Sequence, residues 1–379
     1  MKQTFPALTN MKPFLQQAWE KSGFEEPTAI QEKALPVILE GRDLIAESPT
    51  GTGKTLAYLL PLLERIDSSK KNVQAVILAS SRELVMQIAE EIRVWGGEGG
   101  ITAASFIGGA NVKRQLEKLK KQPQVVAGTP GRIQELIKMK KLKMHEVKFI
   151  VLDEGDQLLV PENMKDVEAI VKSTMKDRQL ALFSATLPAE TERLAKELMK
   201  DPVVTKVGKE EIKSANVDHI YFVAERRDKI KVLERIMRGM EPERALAFIS
   251  DIGNVEVFAA KLDFNGFQAG LLHSELKKLD RVNALKKFRS GEYPLLLATD
   301  VAARGLDIKG LTHVIHFDLA EDATQYTHRA GRTGRAGAEG TVISIVTERE
   351  ERKLKQLAKQ LDISLEKKDF YKGKVVDFR

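Results

Sequence analysis

Two successive series of short aliphatic runs, each run followed by a longer stretch of helical periodicity, constrain the fold of this chain more than any other feature of its sequence. In the first half the runs are Asp43 to Ala46, Ala75 to Ala79, Ala104 to Ile107, Val125 to Ala127, Phe149 to Leu152 and Leu180 to Phe183. In the second they are Ile220 to Val223, Leu246 to Ile249, Ala269 to Leu272, Leu295 to Ala298, His313 to Phe317 and Val342 to Val346. Apolar runs of this length, rich in β-branched residues and separated by helical patterns, predict buried strands of a parallel sheet with crossover helices. The expected class is α/β, with two tandem domains, each a mostly parallel sheet flanked by helices.

The polar stretch from Lys206 to Asn216 has little periodicity and suits a linker. It predicts an N-terminal domain over residues 1–206, a linker over 207–216 and a C-terminal domain over 217–379. A chain of 379 residues exceeds what one core usually serves, and 42% hydrophobic with 30% charged residues is a globular composition. The excess of 61 Lys and Arg over 54 Asp and Glu favours polyanionic partners only weakly. With no cysteine, disulfides, thiolate metal sites and a Cys nucleophile are excluded. No apolar signal core follows Met1–Pro6, and no uninterrupted apolar stretch approaches the ~20 residues that span a bilayer, so a cytosolic protein without membrane contact is expected.

Unusual polar clusters fall directly after the predicted strands, where open α/β sheets expose their ligand-binding edge. Ser48-Pro49-Thr50-Gly51-Thr52-Gly53-Lys54-Thr55 follows a strand and opens the apolar run Leu56 to Leu60, the context a phosphate-binding loop requires. Gly51 and Gly53 let backbone wrap phosphate oxygens, Lys54 can neutralise the β and γ phosphates, and the Thr55 hydroxyl can ligate magnesium. Asp153-Glu154-Gly155-Asp156 follows the run Phe149 to Leu152. An acidic turn alone is more often a helix cap, but paired with Lys54 it predicts Asp153 as a magnesium ligand and Glu154 as the base for an attacking water. In the second half, His328-Arg329-Ala330-Gly331-Arg332-Thr333-Gly334-Arg335 interleaves arginine with glycine. Guanidinium forks match phosphate geometry, so Arg332 and Arg335 are candidate arginine fingers.

In this order, these segments resemble the DEAD-box family of ATP-dependent RNA helicases over nearly the whole chain, which implies two RecA-like domains, ATP with magnesium, and RNA. Gly23 to Gln31 is similar to the family's adenine-reading motif, with Thr28 and Gln31 at its core and Phe5 as its isolated upstream aromatic. The resemblance implies ATP contacts along Ser48 to Thr55 and at Gly305 and Asp307. It implies RNA backbone contacts at Arg82, Gly109, Thr129, Arg132, Arg281 and Thr299, and coupling of the two ligands through Asp156, Ser184, Thr186 and His328. Gly155 stands where the family has Ala, Ser81 where Thr is usual, and Lys278 where Gln is frequent before Arg281. Loss of one methyl at Gly155 is expected to spare both neighbouring acids.

The expected activity is RNA-coupled ATP hydrolysis with sequence-tolerant local duplex unwinding by a monomer. The alternatives are an ATP-dependent RNA clamp or annealing scaffold and, less favoured, a DNA helicase of the same superfamily. Bacterial relatives with such minimal cores serve ribosome assembly or RNA turnover, so a ribonucleoprotein or ribosomal precursor is the partner the resemblance permits. The lysine-rich stretches Lys138 to Lys143 and Lys367 to Arg379 are expected to be solvated helix or tail charge, with an extended RNA path as the alternative.

Overall fold

The computed structural model of the chain describes residues 6–208, 217–250, 252–273, 275–303, 308, 310–334 and 338–378, without the side chains of Pro6, 252–256 and Lys278. Two compact units emerge, Met1–Ile212 and Lys213–Arg379.

The first unit is built on seven strands: β1 Leu44–Glu47, β2 Ala75–Ala79, β3 Ala103–Phe106, β4 Val125–Gly128, β5 Phe149–Asp153, β6 Gln179–Ser184 and β7 Val203–Lys206. Their spatial order is β3-β4-β2-β5-β6-β1-β7, and every pairing is parallel. Successive residues of a strand face opposite ways. Ile77 and Val151 therefore join one apolar cluster with the helices Ala29–Leu39, Lys54–Arg65 and Arg82–Gly96, while Val76 and Ile150 join another with Pro130–Lys138 and Pro161–Lys172. Burial on both faces is why these strands are continuous apolar runs rather than alternating ones. The edge strand β7 escaped the sequence reading, because half of Val203-Val204-Thr205-Lys206 is exposed and its apolar signal is only two residues long.

The second unit holds β8 Val217–Val223, β9 Ala245–Phe248, β10 Ala269–Leu272, β11 Leu295–Ala298, β12 His313–His316, β13 Gly340–Val346, β14 Glu366–Tyr371 and β15 Lys374–Asp377. The order is β10-β11-β9-β12-β13-β8-β14-β15, parallel except for the hairpin β14–β15. That hairpin corrects the expectation of a solvated C-terminal tail. Lys372 (φ +47°) and Gly373 (φ +79°) form a two-residue turn of the kind that matches strand twist, and Glu366 and Lys367 pair with Ile220 and Tyr221 of β8. Phe370 stacks on Phe222 with ring centroids 4.7 Å apart, and the Arg235 guanidinium covers it at 4.0 Å. Lys368 is bound by Glu366 and Asp377. Among the described residues, no helix is long and apolar enough to cross a membrane.

Candidate active site

All strands of the first unit point the same way, so the loops after β1, β2, β3, β4, β5 and β6 meet at one edge of the sheet. The loop after β1 leads into the helix Lys54–Arg65, and Gly51 (φ +79°) and Gly53 (φ +88°) occupy the left-handed region that permits the turn. Ser48 is fully buried, donates its backbone N–H to Ser184 O at 3.0 Å, and shares a 2.7 Å hydroxyl bond with Thr52. Lys54 Nζ donates to Ser48 O at 2.5 Å and Pro49 O at 2.8 Å, which ties its ammonium across the mouth of the loop. Thr50 lies in this loop, and Thr55 takes the second position of the helix.

Gly53 has a second reason to be glycine. A Cβ there would lie 2.6 Å from Gln31 Nε2 and 3.1 Å from Thr28 Oγ1. Gln31, 3% exposed, donates to Gly53 O at 3.3 Å and accepts from Thr28 N at 3.0 Å. The Gly23–Gln31 segment is thus braced directly on the loop after β1, with the Gln31 amide serving both. Phe5 lies outside the described residues.

Asp153 closes β5 at 4% exposure. Its Oδ2 accepts from Tyr58 Oη at 2.8 Å and its Oδ1 from Glu154 N at 3.0 Å. Burial, and then the charge of Glu154, lift its carboxyl to about 6. The same burial drives the Tyr58 hydroxyl well above its ordinary range. Glu154 holds a left-handed backbone (φ +58°), unusual for a residue with Cβ, and receives a short hydrogen bond from the Ser80 hydroxyl. Strain of this kind collects where a side chain must be aimed. Asp156 is buried and accepts from Ser184 Oγ at 2.7 Å and from Thr186 Oγ1 at 3.0 Å, while its own N–H returns to Ser184 Oγ at 3.2 Å. The turn after β5 and the turn after β6 are therefore joined by hydrogen bonds.

Further along the same edge, in the order β3, β4, β2, lie the other predicted contacts. A Cβ on Gly109 (φ +72°) would fall 2.4 Å from the Arg82 guanidinium, so Arg82 rests over that glycine's backbone. Thr129 Oγ1 accepts from Gly108 N at 3.4 Å. Arg132 is 7% exposed; it donates to Ala110 O at 3.3 Å and pairs with Glu135 at 3.3 Å. Its buried fork shapes the Gly108–Ala110 loop from beneath.

In the second unit Arg281 donates to Ala302 O at 2.9 Å, joining its helix to the segment after β11. Thr299 is 6% exposed and His273 3%; among the described residues neither the Thr299 hydroxyl nor either His273 ring nitrogen has a hydrogen-bond partner. Arg332, 9% exposed, donates from Nε to His328 O at 3.2 Å. Arg329 departs from the anion-contact reading of its segment. It is 1% exposed, grips Asp300 through two bonds of 2.7 and 2.6 Å, donates to Asp318 O at 2.6 Å and lies 5.0 Å over the Phe248 ring. Gly305, Asp307 and Arg335 lie outside the described residues, as does the side chain of Lys278.

Two family descriptions match the chain, DEAD/DEAH box helicase over residues 28–194 and helicase conserved C-terminal domain over 228–337. The probable ATP-dependent RNA helicase YfmL of Bacillus subtilis is 54% identical over 375 residues, 99% of this chain and 99% of that one. The chain belongs to the DEAD-box family of ATP-dependent RNA helicases. The DEAD-box helicase CshC of Bacillus cereus is 53% identical over 98% of this chain and 95% of its own. Among solved structures, S. cerevisiae Dbp5 bound to RNA and ADP BeF3 matches with a TM-score of 0.88 at 30% identity, covering 97% of this chain and 95% of that one. Both sheets thus have the tandem RecA-like form of the family.

Within a DEAD-box site, Tyr58 and Ser80 are the residues that the sequence reading missed. Tyr58 sits in an apolar helical run and reads as core; Ser80 is one more polar residue after a strand. Only the fold brings them to Asp153 and Glu154. Gly155 is more than a missing methyl, since a Cβ there would meet the Leu182 side chain at 2.6 Å. The donor set suits magnesium: a buried carboxylate whose charge is costly, with the Thr55 hydroxyl meeting the same Tyr58 hydroxyl that Asp153 does, fits an ion that takes one or two carboxylates and otherwise water and phosphate.

Proposed function

We propose that the protein hydrolyses ATP at the carboxyl edge of the first sheet in response to RNA, and that closure of the second unit on the first completes the site. The reading is carried by one observation. Lys54, Asp153 and Glu154 converge at one sheet edge, and Asp156, Ser184 and Thr186 link that edge to the turn after β6. In this reading Lys54 leaves Ser48 O and Pro49 O for the β and γ phosphates. Magnesium, held by Asp153 and Thr55, supplies neutralising charge on the phosphate oxygens. Glu154, aimed by Ser80, takes the proton of the attacking water as the bond from the γ phosphorus to the β–γ bridging oxygen breaks. Arg332 and Arg335 act as fingers on the γ phosphate from the second unit.

RNA is held by its backbone, through Arg82, Gly109 and Thr129 on one unit and Arg281 and Thr299 on the other. Backbone gripping without base-edge contact is sequence-tolerant and parts short duplexes locally. ATP and RNA each favour the closed arrangement and so favour each other. The test is release of one strand from a short RNA duplex by the purified protein with ATP. Strand release above the no-nucleotide rate, lost in Arg332→Ala, is expected. ATP-dependent annealing without release would favour the RNA clamp instead, and equal stimulation of hydrolysis by DNA of the same sequence would remove the RNA assignment.

A further inference from the structure

The basic character of the chain is concentrated at the sheet edge opposite the active site. Each parallel strand is preceded by a loop at its amino end, and the loops leading into β4, β2, β5 and β6 are neighbours because those four strands are adjacent in the sheet. Segments 120–124, 67–74, 138–148 and 175–178 make up these loops, and together they carry eleven Lys and Arg against three Asp and Glu. That excess of eight is as large as the formal +7 of the entire chain, so the remainder is close to balanced. The neighbouring lead-ins do not share it: Glu98 precedes β3, and Glu40, Arg42 and Asp43 precede β1.

Hydrogen bonds hold these loops together as one surface. Buried Gln124 donates to Ser68 O at 3.2 Å and Lys70 O at 3.1 Å, tying the β4 lead-in to the β2 lead-in. Lys148 N donates to Gln74 O at 2.9 Å, and Gln179 N to Lys148 O at 2.9 Å, which extends the chain of contacts through β5 to β6. The cations project outward from this frame: Lys70, Lys71 and Lys121 are exposed, as are Lys138, Lys140, Lys141, Lys143 and Lys176. Acidic neutralisation is slight. Asp177 pairs with Lys148 at 2.6 Å, Glu117 with Lys120 at 2.7 Å, and Asp67 faces Lys70. Strands of four to six residues, at ~3.3 Å each, set this surface about 15 Å from Arg82, Thr129 and Asp153 at the other edge.

A run of ammonium groups across four loops, with His145 the one exposed ring in these segments and no Phe, Tyr or Trp among them, fits phosphates far better than it fits stacked bases. We propose that this amino edge is a second RNA-binding surface, which holds the phosphate backbone of duplex flanking the strand in the active cleft. Such a surface would tether the enzyme to structured RNA in every nucleotide state, since none of its residues takes part in ATP binding. The proposal goes beyond the proposed function and rests on it only for the choice of RNA.

The test compares the full chain with a Lys70→Gln, Lys71→Gln, Lys140→Gln, Lys141→Gln variant. Nucleotide-free binding of a labelled blunt RNA duplex is followed by anisotropy over a salt series. The expected result is at least about a tenfold loss of affinity and a flatter salt dependence, by roughly 0.9 in the log–log slope for each phosphate contact removed. Hydrolysis at saturating single-stranded RNA should stay unchanged, and the four Lys→Arg replacements should restore duplex binding. Undiminished duplex affinity in the Gln variant overturns the proposal. So does loss of polyglutamate binding with RNA binding intact, which would make the partner an acidic protein. Absence of RNA-stimulated hydrolysis in the unmodified chain is a separate outcome that defeats the proposed function instead.

Discussion

Asp153 shows how burial and function oppose each other in a single side chain. Its carboxyl is lifted from 3.8 to about 6 by loss of solvent and by Glu154, a difference worth about 3 kcal/mol. Below about pH 4 the group is protonated in folded and unfolded chains alike and that cost is absent. As pH rises through 6 the folded chain must bury a charge that the unfolded chain carries in water, so the parent loses stability. Asp153→Asn removes that burden. In metal-free protein at about pH 7.5 the variant should melt higher than the parent, with the advantage shrinking as pH falls through 6. A variant less stable than the parent at every pH would show that the carboxylate is stabilised by its hydrogen bonds more than it is penalised by burial. The residues that matter most here were legible as types at their positions after strands. The partners Tyr58 and Ser80 were not, because nothing local in Leu56 to Leu63 or in Ala79 to Ser81 announces a contact to β5.

At the scale of elements, Arg329 fixes the helix Ala323–Ala330 to the short helix Asp300–Ala303. Its fork takes both carboxylate oxygens of Asp300, and Gln325 adds a 3.0 Å bond to the same group. An ion pair with its arginine buried, its carboxylate part-buried and every guanidinium nitrogen bonded is costly to break one-sidedly, because the partner is left charged and alone. Arg329→Ala should therefore cost about 3–5 kcal/mol of the second unit's stability, read in chemical unfolding followed by a probe in that unit. Arg329→Lys should recover little of it, since an ammonium cannot make the paired bonds. A loss below 1 kcal/mol, within the usual range for surface changes, would mean the pair is solvated and does not organise the segment. Spacing alone did not separate this arginine from Arg332: both are buried, and only the fold shows that Arg329 is committed to Asp300. The hairpin β14–β15 was illegible for a different reason. Glu366 to Asp377 is dense in charge, and its alternation is masked by lysines interleaved with the apolar residues, the Lys367 ammonium lying 3.8 Å over the Phe378 ring. The Lys372-Gly373 turn between Phe370-Tyr371 and Val375-Val376 was the available signal.

For the whole molecule, the two sheets were the most legible feature, since parallel strands covered on both faces are apolar throughout and loops between them are short. What the strand pattern could not convey is which residues converge at each edge, because that depends on strand order, and β4-β2-β5-β6 does not follow the chain. The same order that assembles Lys54, Asp153 and Glu154 at one edge assembles the lysine-rich loops at the other. One chain thus places Lys54 and the lysine-rich loops on opposite sides of a single sheet. The central claim is that hydrolysis of ATP depends on RNA and on the acids after β5. Steady-state ATP hydrolysis by the purified chain, with and without RNA, beside Lys54→Ala and Glu154→Gln, tests it most directly. The account predicts hydrolysis stimulated by RNA in the parent and reduced on the order of 10²–10⁴-fold in Glu154→Gln, with Lys54→Ala at least as impaired. Equal rates in all three proteins, or a parent indifferent to RNA, would contradict it.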